Sequence, residues 1–377
     1  EAAWSSLTNA KLGVPLAVRK GKTVGVLEDG KVVEYIWNPD DLTDNGLVAK
    51  GGGNIPFVED GTSLGVGTGA IDSIVGNSTV TAVGVSAARN NTENNVTALG
   101  SNAAENNTGV AGVVALGNSS ARSNTGNSVT AIGREAAQNN IGDNLVAVGY
   151  EAAINNQGND NVAIGYQAAE NNTGRFTTAI GYVSALENTQ EHLTAVGYKS
   201  AALNTGIRVV ALGSSSCESN AGINVLGVGF GVAKSNTGDS IVAVGSNAAK
   251  SNTGDNIVAV GYLAAQNNIG GSVIAVGYQS AENNTGNDIV AMGYRAARSN
   301  TFDNVSAIGY NSQPTKANQV MLGDTNVEEV FTYGSFKLNG DIICDTVGKG
   351  LLLKSPGDAL WLLKVDDLGN LSTEAIT

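Results

Sequence analysis

One glycine returns every 16 residues through most of this chain. The series is Gly84, Gly100, Gly117, Gly133, Gly149, Gly165, Gly181, Gly197, Gly213, Gly229, Gly245, Gly261, Gly277, Gly293 and Gly309, and the single irregular step, Gly100 to Gly117, is 17. A segment this short cannot enclose a core of its own. It must be one coil of a stack, in which each coil buries its apolar face only against its neighbours. Gly67 lies 17 residues before Gly84, which predicts one irregular coil ahead of the series. Such a stack is a rod, roughly 65 to 70 Å long for fourteen steps at ~4.8 Å each. Rods hold, reach or display.

The repeat governs how composition is read. A chain of 377 residues would ordinarily hold two or three domains, but a solenoid grows by adding coils. Glycine is abundant (50) and proline scarce (5), and without a Gly-X-Y period collagen is excluded. Only 15% of residues are charged, so Asn, Ser and Thr must supply most of the polar surface. The net charge of −13 argues against a nucleic-acid backbone or an anionic membrane as partner, and is compatible with neutral glycans or proteins. No apolar run is long enough to predict a bilayer span. The chain opens at Glu1 with neither methionine nor a signal pattern, as expected of a processed chain or a fragment. Cys217 and Cys344 match no metal spacing and do not indicate a redox compartment.

One coil runs Ile257-Val258-Ala259-Val260-Gly261-Tyr262-Leu263-Ala264-Ala265-Gln266-Asn267-Asn268-Ile269-Gly270. Its first six residues predict a strand, with Ile257, Ala259 and Gly261 on one face and Val258, Val260 and Tyr262 on the other. The residue two before the glycine (Ala147, Ala163, Ala259) is Ala in 14 of 15 coils, the exception being Gly227. This small Ala-Gly face implies a close approach, either by the opposite strand of the coil or by another chain. The facing Val, Ile, Leu and Met positions predict a continuous apolar ladder. A second short strand is expected at the Ala pairs, such as Ala152-Ala153 and Ala264-Ala265. The second alanine persists in 13 of 15 coils, and Cys217 and Gln313 replace it in the others. Cys217 therefore reads as a buried thiol in a small-residue slot.

A turn follows, typically Asn-Asn-Thr-Gly. The asparagine seven after the glycine (Asn156, Asn172, Asn268) is present in all 14 complete coils from Asn91 to Asn300. Asparagine suits left-handed backbone, and stacked asparagines can bond one another as an amide ladder. The prediction is thus an all-β parallel roll of two strands and two turns per coil.

The ends break the period. Residues 1–62 predict an N-terminal β module for attachment or capping, in which Ala17 to Val26 and Lys31 to Trp37 alternate around a turn at Glu28-Asp29-Gly30. Residues 63–312 form the repeat shaft and 313–333 a transition coil, where Asn318 to Gly323 restarts the strand after a step of 14. Residues 334–377 predict a C-terminal β cap or attachment module, with a turn at Asp367-Leu368-Gly369-Asn370 before a last strand. Open stacks present unpaired edges, so caps are needed at both ends.

The recurring Val162-Ala163-Ile164-Gly165-Tyr166 and Asn171-Asn172-Thr173-Gly174 elements resemble two related groups. One is the head repeat of trimeric autotransporter adhesins, a left-handed parallel β-roll that trimerises side by side. The other is the repeat of bacteriophage tail-fibre proteins. The resemblance spans Gly67 to Gly323, about two thirds of the chain. Autotransporter heads have a shorter period, matched here only by the Gly309 to Gly323 step, and their heptad stalk and membrane-anchoring strands are missing. The stretch Gly348 to Pro356, continuing through Trp361 to Leu371, is similar to terminal modules of tail fibres, and Asp29 to Tyr35 to fibre attachment regions. The phage reading is preferred, and both groups imply a homotrimer.

Little in the sequence points to catalysis. The only histidine, His192, lies in a variable turn without a recurring acidic or nucleophilic partner. Asp143, Asp239, Asp255 and Asp303 recur in register and read as solvated turn residues, the sharper alternative being a calcium ladder. Eight of the ten tyrosines (Tyr150, Tyr166, Tyr182, Tyr198, Tyr262, Tyr278, Tyr294, Tyr310) follow a series glycine. They predict a packing ladder or, alternatively, a sugar-stacking stripe in which Tyr150, Tyr166, Tyr262 and Tyr278 would contact glycan. The expected function is structural and binding, not enzymatic, with no cofactor or metal: the trimeric shaft of a phage-tail fibre on a virion. Its expected partners are itself, other tail proteins through a terminal module, and a host glycan or protein. The alternative is a bacterial surface adhesin head. A non-repeating polar cluster, which an enzyme would need, is not apparent.

Overall fold

The computed structural model describes residues 23–28, 31–37, 47–49, 57–59, 63–72, 79–92, 94–109, 111–327, 330, 333, 351–354, 360–365 and 371–376. The chain divides into two compact units, Glu1–Asn326 and Val327–Thr377. The first contains a parallel β-solenoid. Its strands repeat from Leu64–Val66 to Gln319–Leu322, and each pairs in register with the strand one coil on, as in Val162↔Thr178, Ala163↔Ala179 and Ile164↔Ile180. The irregular first coil and the shortened last step are both present: Leu64–Val66 pairs parallel with Thr81–Val83, and Val305–Ile308 with Gln319–Leu322.

At the start of the stack, Phe57–Glu59 pairs antiparallel with Leu64–Val66 and covers that edge. Before it, Thr23–Glu28 and Lys31–Trp37 form the expected hairpin, which Leu47–Ala49 extends to three strands. The rest of the predicted first strand, residues 17–22, lies outside the described residues. In the second unit, Leu351–Lys354, Leu360–Val365 and Leu371–Ile376 make an antiparallel sheet, so the last strand is where the sequence places it.

The expected second strand of each coil is not a strand. After Gly165 the chain makes successive turns, with Ala168 N donating to Gly165 O, Glu170 N to Gln167 O and Asn172 N to Ala169 O (3.4, 3.4 and 3.3 Å). Gln167, Ala169 and Asn171 all hold left-handed φ values of 51 to 53°. Extended chain cannot accommodate that alternation. The intervening amides reach other coils: Gln167 N donates to Tyr150 O behind, and Ala169 N to Ser184 O ahead, at 2.9 and 2.8 Å. The backbone is thereby satisfied without a second sheet.

The core is lean. Each strand from Val80–Val83 to Val305–Ile308 buries the residues four and two before the glycine; Ile257 and Ala259 pack with the Ala pair of the turns, Ala264 and Ala265, and all four are fully buried. The close approach implied by the small residues is therefore internal. Ala147, Ala163 and Ala259 are interior and unavailable to another chain. The glycines answer a different need. Gly165 has φ +132°, and a Cβ there would run into the backbone carbonyl of Gly181 in the next coil. Gly149, Gly261 and Gly277 repeat this relation. Two of the three exceptions in the Ala columns explain each other: a Cβ at Gly227 would lie 2.7 Å from Cys217 Sγ, so the lost methyl makes room for the sulfur.

The asparagine column forms the amide ladder that its register predicts. Asn172 Nδ2 donates to Asn156 Oδ1 (2.9 Å) and to Gly174 O (2.8 Å), and Asn268 repeats this with Asn252 and Gly270. All three asparagines are fully buried.

Candidate functional site

Because strand side chains alternate, burying Ile257 and Ala259 forces Val258 and Val260 outward. The predicted apolar ladder is therefore on the outside of the coil. The residue before each glycine stays apolar throughout (Ile132, Ile164, Ile180, Val196, Val260, Met292), and these side chains are 37% to 44% exposed. The column two residues earlier mixes Val146, Val242, Val258 and Ile274 with Thr130, Thr178 and Thr194. Together they make a two-column apolar strip along the solenoid, larger than the scattered apolar exposure of an ordinary surface.

The tyrosines line one edge of this strip in two stacks. Tyr150, Tyr166, Tyr182 and Tyr198 stack at centroid distances of 5.1, 4.9 and 5.3 Å, and Tyr262, Tyr278, Tyr294 and Tyr310 at 5.1, 5.0 and 5.1 Å. Between the stacks the column holds Ser214, Phe230 and Ser246. Tyr150 is half-buried and the other seven are exposed (48% at Tyr182, 63% at Tyr310). Their faces, however, are turned to one another, leaving edges, hydroxyls and the outermost faces to any ligand.

The other edge is the corner five residues before the glycine. Its backbone is left-handed in coil after coil, and Asn144, Asn224, Asn256 and Ser240 hold it at little cost. In three successive coils it is instead Phe176, His192 and Arg208, with φ of 55, 59 and 58°. Left-handed φ is not special to these three, since Val183, Leu203 and Leu263 hold it in the turns of other columns; what sets this corner apart is its side chains. Phe176 and His192 stack at 5.0 Å, Arg175 lies 5.0 Å over the Phe176 ring, and Arg208 Nη1 donates to Asn224 Oδ1 at 3.1 Å. His192 is exposed, as expected, but belongs to an aromatic-cationic cluster.

Beneath this corner the interior also departs from the repeat. Asn161 and Thr177 replace the buried aliphatic residue of the strand. Asn161 Nδ2 donates to Asn156 Oδ1, Gly158 O and Gly174 O, its Oδ1 accepts from Thr177 N at 2.8 Å, and Asn188 Nδ2 donates to Thr177 Oγ1. A non-repeating polar cluster thus exists where the sequence reading saw none. Its signature in the sequence is a polar residue in a column that is otherwise Val, Leu or Ile from Val80 to Val305.

The acidic turn residues are not merely solvated. Asp143 Oδ1 accepts from Asn127 N and Nδ2, and Asp239, Asp255 and Asp303 each accept from a backbone amide of the preceding coil. Among the described residues, no group of three His, Cys, Asp or Glu side chains is placed to hold a metal ion, and no helix is long and apolar enough to cross a membrane. Burial pushes the Cys217 thiol up to about 12, which keeps it protonated and unreactive at neutral pH. Glu170 is raised by burial first, then by Glu151 and Glu187. Comparison of the chain with protein-family models, with curated proteins and with solved structures finds no match to any of them.

Proposed function

We propose that this chain is a structural and binding protein, the shaft of a tail fibre on a phage or phage-like particle. On this reading three copies associate side by side through the outward strip, each coiled left-handed. A terminal module docks to other tail proteins, and the shaft positions recognition of a host glycan or protein. The chain carries no catalysis of its own.

The observation that supports this reading is the outward apolar strip. About sixteen coils at ~4.8 Å and a width near 10 Å give roughly 770 Å² per copy, divided between two neighbours, so that a closed trimer buries about 2,300 Å² in all. A surface with one apolar step per coil is matched best by another surface with the same spacing, which a second copy provides.

Light-scattering mass measurement of the full chain tests the association. A mass three times the 38.1 kDa of one chain is expected, and a monomer would sink it. Fractionation tests the location: the chain is expected on purified particles, and recovery from bacterial envelopes would favour the adhesin alternative.

A further inference from the structure

A periodic interface has a weakness. Sliding one copy by a coil along another replaces apolar steps with nearly identical ones, so the strip by itself does not define axial register. Resting on the self-association proposed above, we infer that the Arg175–Phe176–His192–Arg208 corner is the register key, and that its partner is the Tyr182–Tyr198 end of the tyrosine stack on the next copy.

Phe176, Thr178, Ile180 and Tyr182 are the alternating outward residues of one coil, while Thr177 and Ala179 between them are buried. The next coil repeats this from His192 to Tyr198. The corner and the tyrosine therefore border the strip on opposite edges at the same height. When copies turn their strips to a common axis parallel to the stack, the corner edge of each meets the tyrosine edge of the next, a head-to-tail contact that closes into a ring. Rotation about that axis leaves height unchanged, so Phe176 and His192 come to Tyr182 and Tyr198, with the two arginines beside them. Arginine over tyrosine is already used within the chain, Arg134 on Tyr150 at 5.1 Å and Arg295 on Tyr294 at 5.0 Å.

The key needs to resist sliding in only one direction. A slip towards the C-terminus sets His192 against Ser214, where the aromatic stack has ended. Offsets around a closed ring sum to zero, so any slip one way at one contact forces the opposite slip at another.

The test replaces Phe176→Asn, His192→Asn and Arg208→Asn together. Asparagine is this column's own residue in other coils and suits the backbone, so folding is preserved. Register is read far from the key by disulfide trapping in a Cys217→Ala, Cys344→Ser background. Asn256→Cys is combined with Tyr262→Cys for the in-register contact, or with Ser246→Cys or Tyr278→Cys for contacts one coil off. A disulfide tolerates little displacement, and a coil step of ~4.8 Å exceeds it.

With the key intact, only the Asn256–Tyr262 pair is expected to crosslink between copies. In the triple variant, the offset pairs are expected to rise several-fold to a comparable share. A triple variant that still crosslinks only in register overturns the key while leaving the association standing. A trimeric parent in which the Asn256–Tyr262 pair never crosslinks overturns the meeting of the two edges. A monomeric parent overturns the association itself.

Discussion

The coils from Gly229 to Gly309 and the coils around Gly165 to Gly213 share one backbone but not one composition. In the first stretch the interior strand position is Ile241, Ile257, Val273, Ile289 or Val305, and the corner is mostly Asn or Ser. In the second, Asn161 and Thr177 enter the core, and Phe176, His192 and Arg208 occupy the corner. The fold accepts these departures because each is locally satisfied: the polar pair bonds into the amide ladder, and the rings stack on one another. What the fold never varies in either stretch is the series glycine and, in every complete coil, the asparagine seven residues after it. The difference separates positions that build the coil from positions that give one coil an identity.

The largest effect is expected at an invariant position. Gly261→Ala places a methyl at φ +134° against the Gly277 carbonyl. It is expected to cost about 3 kcal/mol or more, from left-handed strain plus the clash, measured by denaturant unfolding. Gly271→Ala is its control, because the nearest atom to a Cβ there is 3.6 Å away. A similar loss at both sites would overturn this account of the glycine column.

The amide ladder comes next. Asn172→Leu removes the donor to Asn156 and Gly174, and the acceptor for Asn188, inside a fully buried column. A loss of about 2 to 4 kcal/mol is expected from the stranded polar groups, and a loss below about 0.5 kcal/mol would mean the ladder is not holding the stack.

The polar core pair sharpens the contrast between the two stretches. Asn161→Val alone leaves partners stranded and is expected to cost about 1 to 3 kcal/mol. The double change Asn161→Val, Thr177→Val restores the repeat's own residues and should recover most of that loss. Additive losses in thermal melts would show that the pair is not a unit.

The smallest effect concerns Glu170. Its folded pKa is raised, by burial first and then by Glu151 and Glu187, so its ionisation opposes folding. The stability it allows is full below the unfolded carboxylate range and falls as pH rises through the folded value. Glu170→Gln should therefore melt slightly above the parent at pH 7, with the gap closing towards pH 4. A gap that widens on acidification would reverse the assignment.

The glycine period, the in-register strands, the amide ladder and the buried Cys217 were legible because each is a column property, visible whenever one residue type recurs at one phase. The second side of the coil was misread. Ala-Ala pairs suit a strand and a tight turn equally well, and only backbone geometry shows Ala169 and Asn171 at positive φ. The Ala-Gly face left two sources of close approach open, and the structure assigns them separately: alanine to the interior of its own coil, glycine to the carbonyl of the next. The Phe176–His192 corner is not legible in a single coil, because it shows only as three departures from a column that is otherwise mostly Asn, Ser or Asp.

By itself, then, the sequence determined that this protein is a stack of 16-residue coils with a small-residue interior, since no other arrangement buries so short a period. Contacts between coils settle which face of the strand points outward, that the second side is a run of turns, and that Gly227 and Cys217 are one exchange of volume. Those depend on which atoms meet across coils, and a distance between coils is not written in the order of residues along one.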